Sequence, residues 1–151
     1  MFPWRTSKKL SVSPSRPPPE RGGPEFLVDR SLGRYQLPNA LRALGYVAHT
    51  LADVYGEKRA QAVEDQEWIE LAGREDWVVL TKDDRIRYRA IEREAFISAG
   101  LRVFCLTTAK LRGEEQTSRF VNNINRITQR ARRPGPYIYG VYEGRLERIW
   151  P

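Results

Sequence analysis

The chain has 151 residues, 40% hydrophobic and 30% charged, with a formal net charge of +7, one histidine and one cysteine. That length makes one domain plus a tail at most, and the lone Cys105 excludes an internal disulfide framework and a cysteine-rich zinc site. No apolar run approaches the roughly 18 residues a membrane span needs, and no apolar h-region follows Met1, so a cytoplasmic location is expected.

The charge is unevenly spread. Residues 1–23 carry five Lys/Arg and one Glu, residues 24–100 eleven basic and fourteen acidic, and residues 101–151 ten basic and four acidic. An acidic centre between basic ends suits a chain that holds cations and meets a polyanion. The first 24 residues include Ser13-Pro14-Ser15-Arg16-Pro17-Pro18-Pro19 and Gly22-Gly23-Pro24. Such a segment lacks amide donors and apolar periodicity and reads as a flexible, Pro-rich leader.

The globular part is expected from Glu25 to Pro151. Phe26–Val28 reads as a first strand. Leu37, Leu41 and Leu44 recur at helical spacing, with Pro38 in the first turn and Gly45 placed to end the helix. Tyr46–Leu51 reads as a second strand, and the next dozen residues, with Gly56 and Glu57-Lys58-Arg59, as a loop. Asp65 precedes Trp68, Ile69, Leu71 and Ala72, again at helical spacing. Trp77–Thr81 is the third strand. From Arg85 a longer helix should turn Ile86, Ala90, Ile91 and Ala95 inward and close at Gly100. Leu101–Leu106 is the fourth strand, with Cys105 as a small buried hydrophobe.

A helix over 114–132 comes next, with Thr117, Phe120, Ile124, Ile127 and Ala131 on one stripe, stopped by Pro134-Gly135-Pro136. Tyr137–Tyr142 and Leu146–Trp150 flank Glu143-Gly144-Arg145 as a hairpin. Strands alternating with helices over short connections imply an α/β fold: a three-layer α/β/α sandwich on a mainly parallel sheet.

Chemistry concentrates at two strand ends. Phe26-Leu27-Val28 runs into Asp29, and Val78-Val79-Leu80-Thr81 runs into Lys82-Asp83-Asp84. In an open α/β sheet, sites form just past the carboxyl ends of strands. Either carboxylate could simply cap the turn or helix after its strand. Two adjacent ones repel, however, and a cap needs only one, so the surplus favours a cation. Glu64-Asp65-Gln66-Glu67 forms a third acidic cluster at a helix start, where the dipole also favours anions; Asp65 suits either a cap or a ligand. Three or four carboxylates from separate segments, without histidine or cysteine, suit a hard cation such as Mg²⁺, which can polarise a phosphodiester and activate water. His49, within a strand, is expected to be a core or rim residue.

Together, Phe26-Leu27-Val28-Asp29-Arg30-Ser31-Leu32-Gly33, Leu41-Arg42-Ala43-Leu44-Gly45-Tyr46, Asp65-Gln66-Glu67-Trp68-Ile69 and Val79-Leu80-Thr81-Lys82-Asp83-Asp84-Arg85-Ile86-Arg87 resemble a PIN-like domain. The similarity is greatest to the compact subgroup containing VapC-type toxins of bacterial toxin–antitoxin pairs, over about residues 25–142. The resemblance implies an α/β/α sandwich and an endoribonuclease dependent on Mg²⁺ or Mn²⁺. It makes Asp29, Asp65 and Asp83 the metal-binding acids, with Asp84 or Glu67 auxiliary. Arg30, Lys82, Arg85 and Arg87 stand beside them as candidates for the RNA phosphates. A cognate antitoxin that blocks the site, and a homodimer or hetero-oligomer, are the partners it implies. One departure stands out: such domains carry a further acid after the fourth strand, where this chain reads Thr107-Thr108-Ala109-Lys110.

Two other readings compete. A receiver-like phosphoacceptor also uses strand-end aspartates, Mg²⁺ and a lysine, though its paired acids come after the first strand. A non-catalytic RNA- or partner-binding module would instead use Arg112, Arg119, Arg126, Arg130, Arg132 and Arg133.

Overall fold

The computed structural model describes residues 23–83, 85, 88–107 and 110–151. Among these, six strands form one sheet: β1 (Glu25–Val28), β2 (Ala48–Thr50), β3 (Trp77–Thr81), β4 (Arg102–Leu106), β5 (Tyr137–Tyr142) and β6 (Arg145–Trp150). Their spatial order is β2-β1-β3-β4-β5-β6. All neighbours run parallel except β5 and β6, which form the expected hairpin. Arg145 pairs with Tyr142, so it belongs to the strand, and the turn is only Glu143-Gly144, with Gly144 at φ +82°. The proposed leader lies outside the described residues except for Gly23 and Pro24.

Among the described residues, seven α-helices cover both faces: α1 (Gln36–Ala43), α2 (Leu51–Tyr55), α3 (Glu57–Ala60), α4 (Asp65–Arg74), α5 (Ala90–Ala99), α6 (Gly113–Asn122) and α7 (Ile124–Arg130). The layers arise from strand alternation. Phe26, Val28, Val78, Leu80, Phe104 and Leu106 face a core shared with Leu37 and Leu41 of α1, Phe120 of α6 and Ile127 of α7. Leu27, Val79, Val103 and Cys105 face the opposite core, with Leu51, Trp68, Ile69, Ala72 and Phe96. Two covered faces explain why these strands read as unbroken apolar runs. Cys105 and the strand-borne His49 take structural places: Cys105 is buried, while His49 stacks on Trp77 at 4.0 Å and its Nε2 meets Glu25 Oε1 at 2.8 Å.

Four expectations need correction. The second strand is shorter than 46–51, and the loop expected after it is two short helices. Thr50 and Asp53 close a capping box that starts α2 at Leu51, and Gly56, at φ +86°, separates α2 from α3. The helix expected from Arg85 begins only at Ala90, and Ile91 is 64% exposed. Ala95 turns inward as expected, together with Phe96, while Ala90 is exposed; the contact of α4 with α5 runs through Gly73 and Ala99, and Ile86 lies outside the described residues. The long helix over 114–132 breaks at Asn123, which is fully buried and donates from Nδ2 to the carbonyls of Arg119 and Tyr142. Bonding back one turn is the kind of side-chain competition that bends or ends a helix. Finally, Asp65 is not the cap of α4. Glu64 holds that position without a side-chain cap bond, and Asp65 is the first helical residue.

Candidate active site

The chain passes from β1 outward to β2 on one side and returns to β3 on the other, so a topological switch point lies between β1 and β3. Crevices open there, past the carboxyl ends of the strands. A cleft of about 340 Å³ occupies that place, lined by Asp29, Arg30, Ser31, Asp65, Trp68, Thr81, Asp83 and Arg85. A hollow of about 560 Å³, lined among others by Glu25, Asp76 and Arg102, lies at the strands' amino ends. It is roomier, but Asp76 and Arg102 pair across it at 2.9 Å, and it sits on the edge where such sheets seldom build chemistry.

Asp29 extends β1 by one residue, its amide donating to Leu80 O at 2.9 Å. Its side chain shares the parity of Leu27 and so turns toward the α4 layer. The residue is 6% exposed. Oδ2 accepts from Ser31 Oγ at 2.6 Å, Thr81 Oγ1 at 3.0 Å and Ser31 N at 3.3 Å. Among the described residues, no donor reaches Oδ1. Asp29 therefore caps the 3₁₀ turn Arg30–Leu32 and still keeps one oxygen for a ligand.

Asp65 is brought over the strand ends by α4. Its Oδ1 accepts from the Trp68 indole Nε1 at 2.8 Å and from Arg30 Nη2 at 3.2 Å, and its Oδ2 meets Arg89 Nη1 at 3.3 Å. Asp83 lies in the loop after β3, anchored because its amide donates to Thr81 Oγ1 at 3.0 Å. Its carboxylate accepts from Arg85 N, Nε and Nη2 at 2.8 to 3.0 Å. The Arg85 guanidinium holds the Asp83 carboxyl below the usual carboxylate range, against an opposing push from burial.

The three aspartates selected from sequence thus line one cleft. Asp84 and Arg87 lie outside the described residues. Glu67 pairs instead with Arg59 at 2.9 Å. Of the proposed phosphate binders, Arg30 is committed inward: Nη1 donates to Ala60 O at 2.7 Å and Nη2 to Val63 O at 2.9 Å. Arg85 is spent on Asp83. Lys82 is exposed, and its ammonium has no partner among the described residues.

Sequence reasoning missed three contributors. Trp68 orients Asp65 from one turn on, a spacing visible in Asp65-Gln66-Glu67-Trp68. Arg89 and Glu92 join the rim, Arg89 Nη1 meeting Glu92 Oε1 at 3.1 Å. Nothing in the arginine-dense run 85–89 singles out Arg89 in advance.

Hard carboxylate oxygens, one of them unpartnered on a buried residue, are a donor set that fits a divalent cation. Among the described residues, no three His, Cys, Asp or Glu side chains converge as a ready-made metal cluster. Mg²⁺ does not require one, because it keeps several waters and binds through one or two carboxylates.

Comparison with known proteins agrees with this geometry. The family described as "PIN like domain" matches residues 24–108. The chain is also 38% identical over 124 residues to "Putative ribonuclease VapC45" of Mycobacterium tuberculosis (strain ATCC 25618 / H37Rv), covering 82% of this chain and 90% of that one. No solved structure matches the chain.

Proposed function

Because the chain belongs to the PIN-like domain family, we propose that it is a metal-dependent endoribonuclease, the toxin of a toxin–antitoxin pair, with residues 25–151 as its nuclease unit. The observation that carries this reading is the meeting of Asp29, Asp65 and Asp83 in one cleft at the β1/β3 switch point. The similarity to a protein named as a VapC ribonuclease supports it from the outside.

Asp29 Oδ1 would hold Mg²⁺ or Mn²⁺, with Asp65 and Asp83 reaching the ion directly or through its waters. Such an ion supplies a polarised phosphodiester and an activated water. The remaining work falls to the chain's own groups. Ser31 and Thr81 fix the Asp29 carboxyl by occupying Oδ2 and leaving Oδ1 to the cleft. Trp68 and Arg30 hold Asp65 by Oδ1, so that Oδ2 faces Arg89. Thr81 ties Asp29 to the Asp83 loop, coupling the two strand ends. Arg85 keeps Asp83 ionised. Lys82, exposed beside the cleft, attracts the polyanion. RNA is the substrate, a cognate antitoxin the inhibitor that covers the cleft, and a cytoplasmic location the setting. Among the described residues, no helix is long and apolar enough to cross a membrane.

The receiver-like alternative shares the order 2-1-3-4-5 of the parallel strands, but the family match sets it aside. The test is cleavage of end-labelled RNA by the purified chain in Mg²⁺ or Mn²⁺, with EDTA and Asp29→Asn as controls. Induced growth with and without the adjacent gene's product is run in parallel. Cleavage lost in EDTA and in the variant, with growth arrest relieved by the partner, is expected. An inert wild type that also leaves growth untouched overturns the reading.

A further inference from the structure

Among the described residues, the three arginines at the cleft differ in how much of each guanidinium is already used. Arg30 gives both terminal nitrogens to Ala60 O, Val63 O and Asp65. Arg85 gives Nε and Nη2, its bidentate edge, to Asp83. Arg89 differs. Only its Nη1 is engaged, shared between Asp65 Oδ2 at 3.3 Å and Glu92 Oε1 and Oε2 at 3.1 and 3.3 Å. Among the described residues, its Nε and Nη2 donate to nothing.

Those two nitrogens form the edge with which a guanidinium grips two oxygens of one phosphate. The carboxylate of Glu92, whose side chain is only 17% exposed on the first turn of α5, holds the other end of the group. A guanidinium pinned at one nitrogen loses less freedom on binding than a free one. Its Nη1 bond to Asp65 Oδ2 places the group at the rim of the cleft, and the side chain remains 42% exposed to incoming ligand.

We infer that Arg89 is the phosphate fork of this cleft, gripping a backbone phosphate of single-stranded RNA through Nε and Nη2. The inference rests on the ribonuclease reading but concerns binding, so it can be tested without turnover. Affinity of the full chain for a short fluorescein-labelled single-stranded RNA is measured in EDTA across a salt series, for wild type, Arg89→Gln and Arg89→Lys. Loss of one phosphate contact should make the log K against log salt slope of Arg89→Gln less negative by about 0.7. Arg89→Lys keeps the charge and hence the slope, but loses the fork and binds roughly three- to tenfold more weakly. Thermal melts run alongside; a merely structural bridge from α5 to α4 would lower the melting temperature and leave the slope alone. Should Arg89→Gln not fold, Arg89→Lys carries the test. An unchanged slope in Arg89→Gln, or wild-type affinity in Arg89→Lys, overturns the assignment. A wild type that binds RNA with the expected slope but cleaves none sinks the nuclease reading alone.

Discussion

Arg30→Met distinguishes a residue that builds the site from one that binds substrate. Methionine keeps most of the apolar stem and removes every donor. In the wild type, Nη1 reaches Ala60 O at 2.7 Å, and Nη2 reaches Val63 O at 2.9 Å and Asp65 Oδ1 at 3.2 Å. The side chain is 37% exposed, so solvent takes over part of what is lost. The two carbonyl bonds are then worth roughly 1 kcal/mol each, and the partly screened ion pair adds at most about 0.5 kcal/mol. A loss of about 2 kcal/mol should lower the urea midpoint by roughly 1 M, taking a slope near 2 kcal/mol/M. Because Val63 and Asp65 move together when the bracket goes, turnover should fall while RNA affinity in EDTA holds. Urea unfolding tracked by tryptophan fluorescence, with anisotropy for RNA, measures both. A variant that unfolds at the wild-type midpoint but binds RNA weakly would refute this reasoning and restore Arg30 to the phosphate-binding role expected from sequence.

The same geometry fixes other outcomes. Gly73→Ala should destabilise although it improves helix propensity by up to about 1 kcal/mol, since the new methyl would stand 2.5 Å from Ala99 Cβ. A net loss of roughly 1–2 kcal/mol is expected from overpacking, and a rise in melting temperature would contradict it. The lowered pKa of Asp83, caused first by its Arg85 hydrogen bond, favours the folded state above the ordinary carboxylate value of about 3.9 and is lost as pH falls through the folded value. Arg85→Gln should therefore be less stable than wild type at neutral pH, with the gap closing in acid; urea midpoints at the two pH values check this. Burial pushes the Tyr137 phenol up to about 12 from 10.0, so its stabilising share is intact below pH 10.0 and is lost as pH rises through about 12. Tyr137→Phe should remove that alkaline loss. At neutral pH it should cost about 1 kcal/mol, because the single hydroxyl hydrogen is shared between Arg130 O and Arg133 O, each 3.0 Å away; equal alkaline melts would contradict the shift.

The strands were legible because their signal is local. Phe26–Val28, Trp77–Thr81 and Tyr137–Tyr142 are apolar runs bounded by charge or proline, and burial on both faces leaves that mark in any sequence. The acids Asp29 and Asp83 were found for the same reason, each standing just past a strand. Helix limits were less legible where a side chain far along the chain decides them. Asn123 breaks the long helix by bonding Tyr142 O, and the α5 face is set by Gly73 against Ala99.

By itself the sequence determined a parallel α/β sheet with carboxylates at the ends of β1 and β3, because alternation, turn residues and strand-end chemistry are written residue by residue. Only the tertiary structure decided which cations serve which acids. Arg30, Arg85 and Arg89 look alike in a one-dimensional string. Their roles part when folding brings Ala60 O and Val63 O to the first and Asp65 to the third, while the neighbouring Asp83 takes the second. Hydrogen bonds act over about 3 Å in space, whatever the distance along the chain.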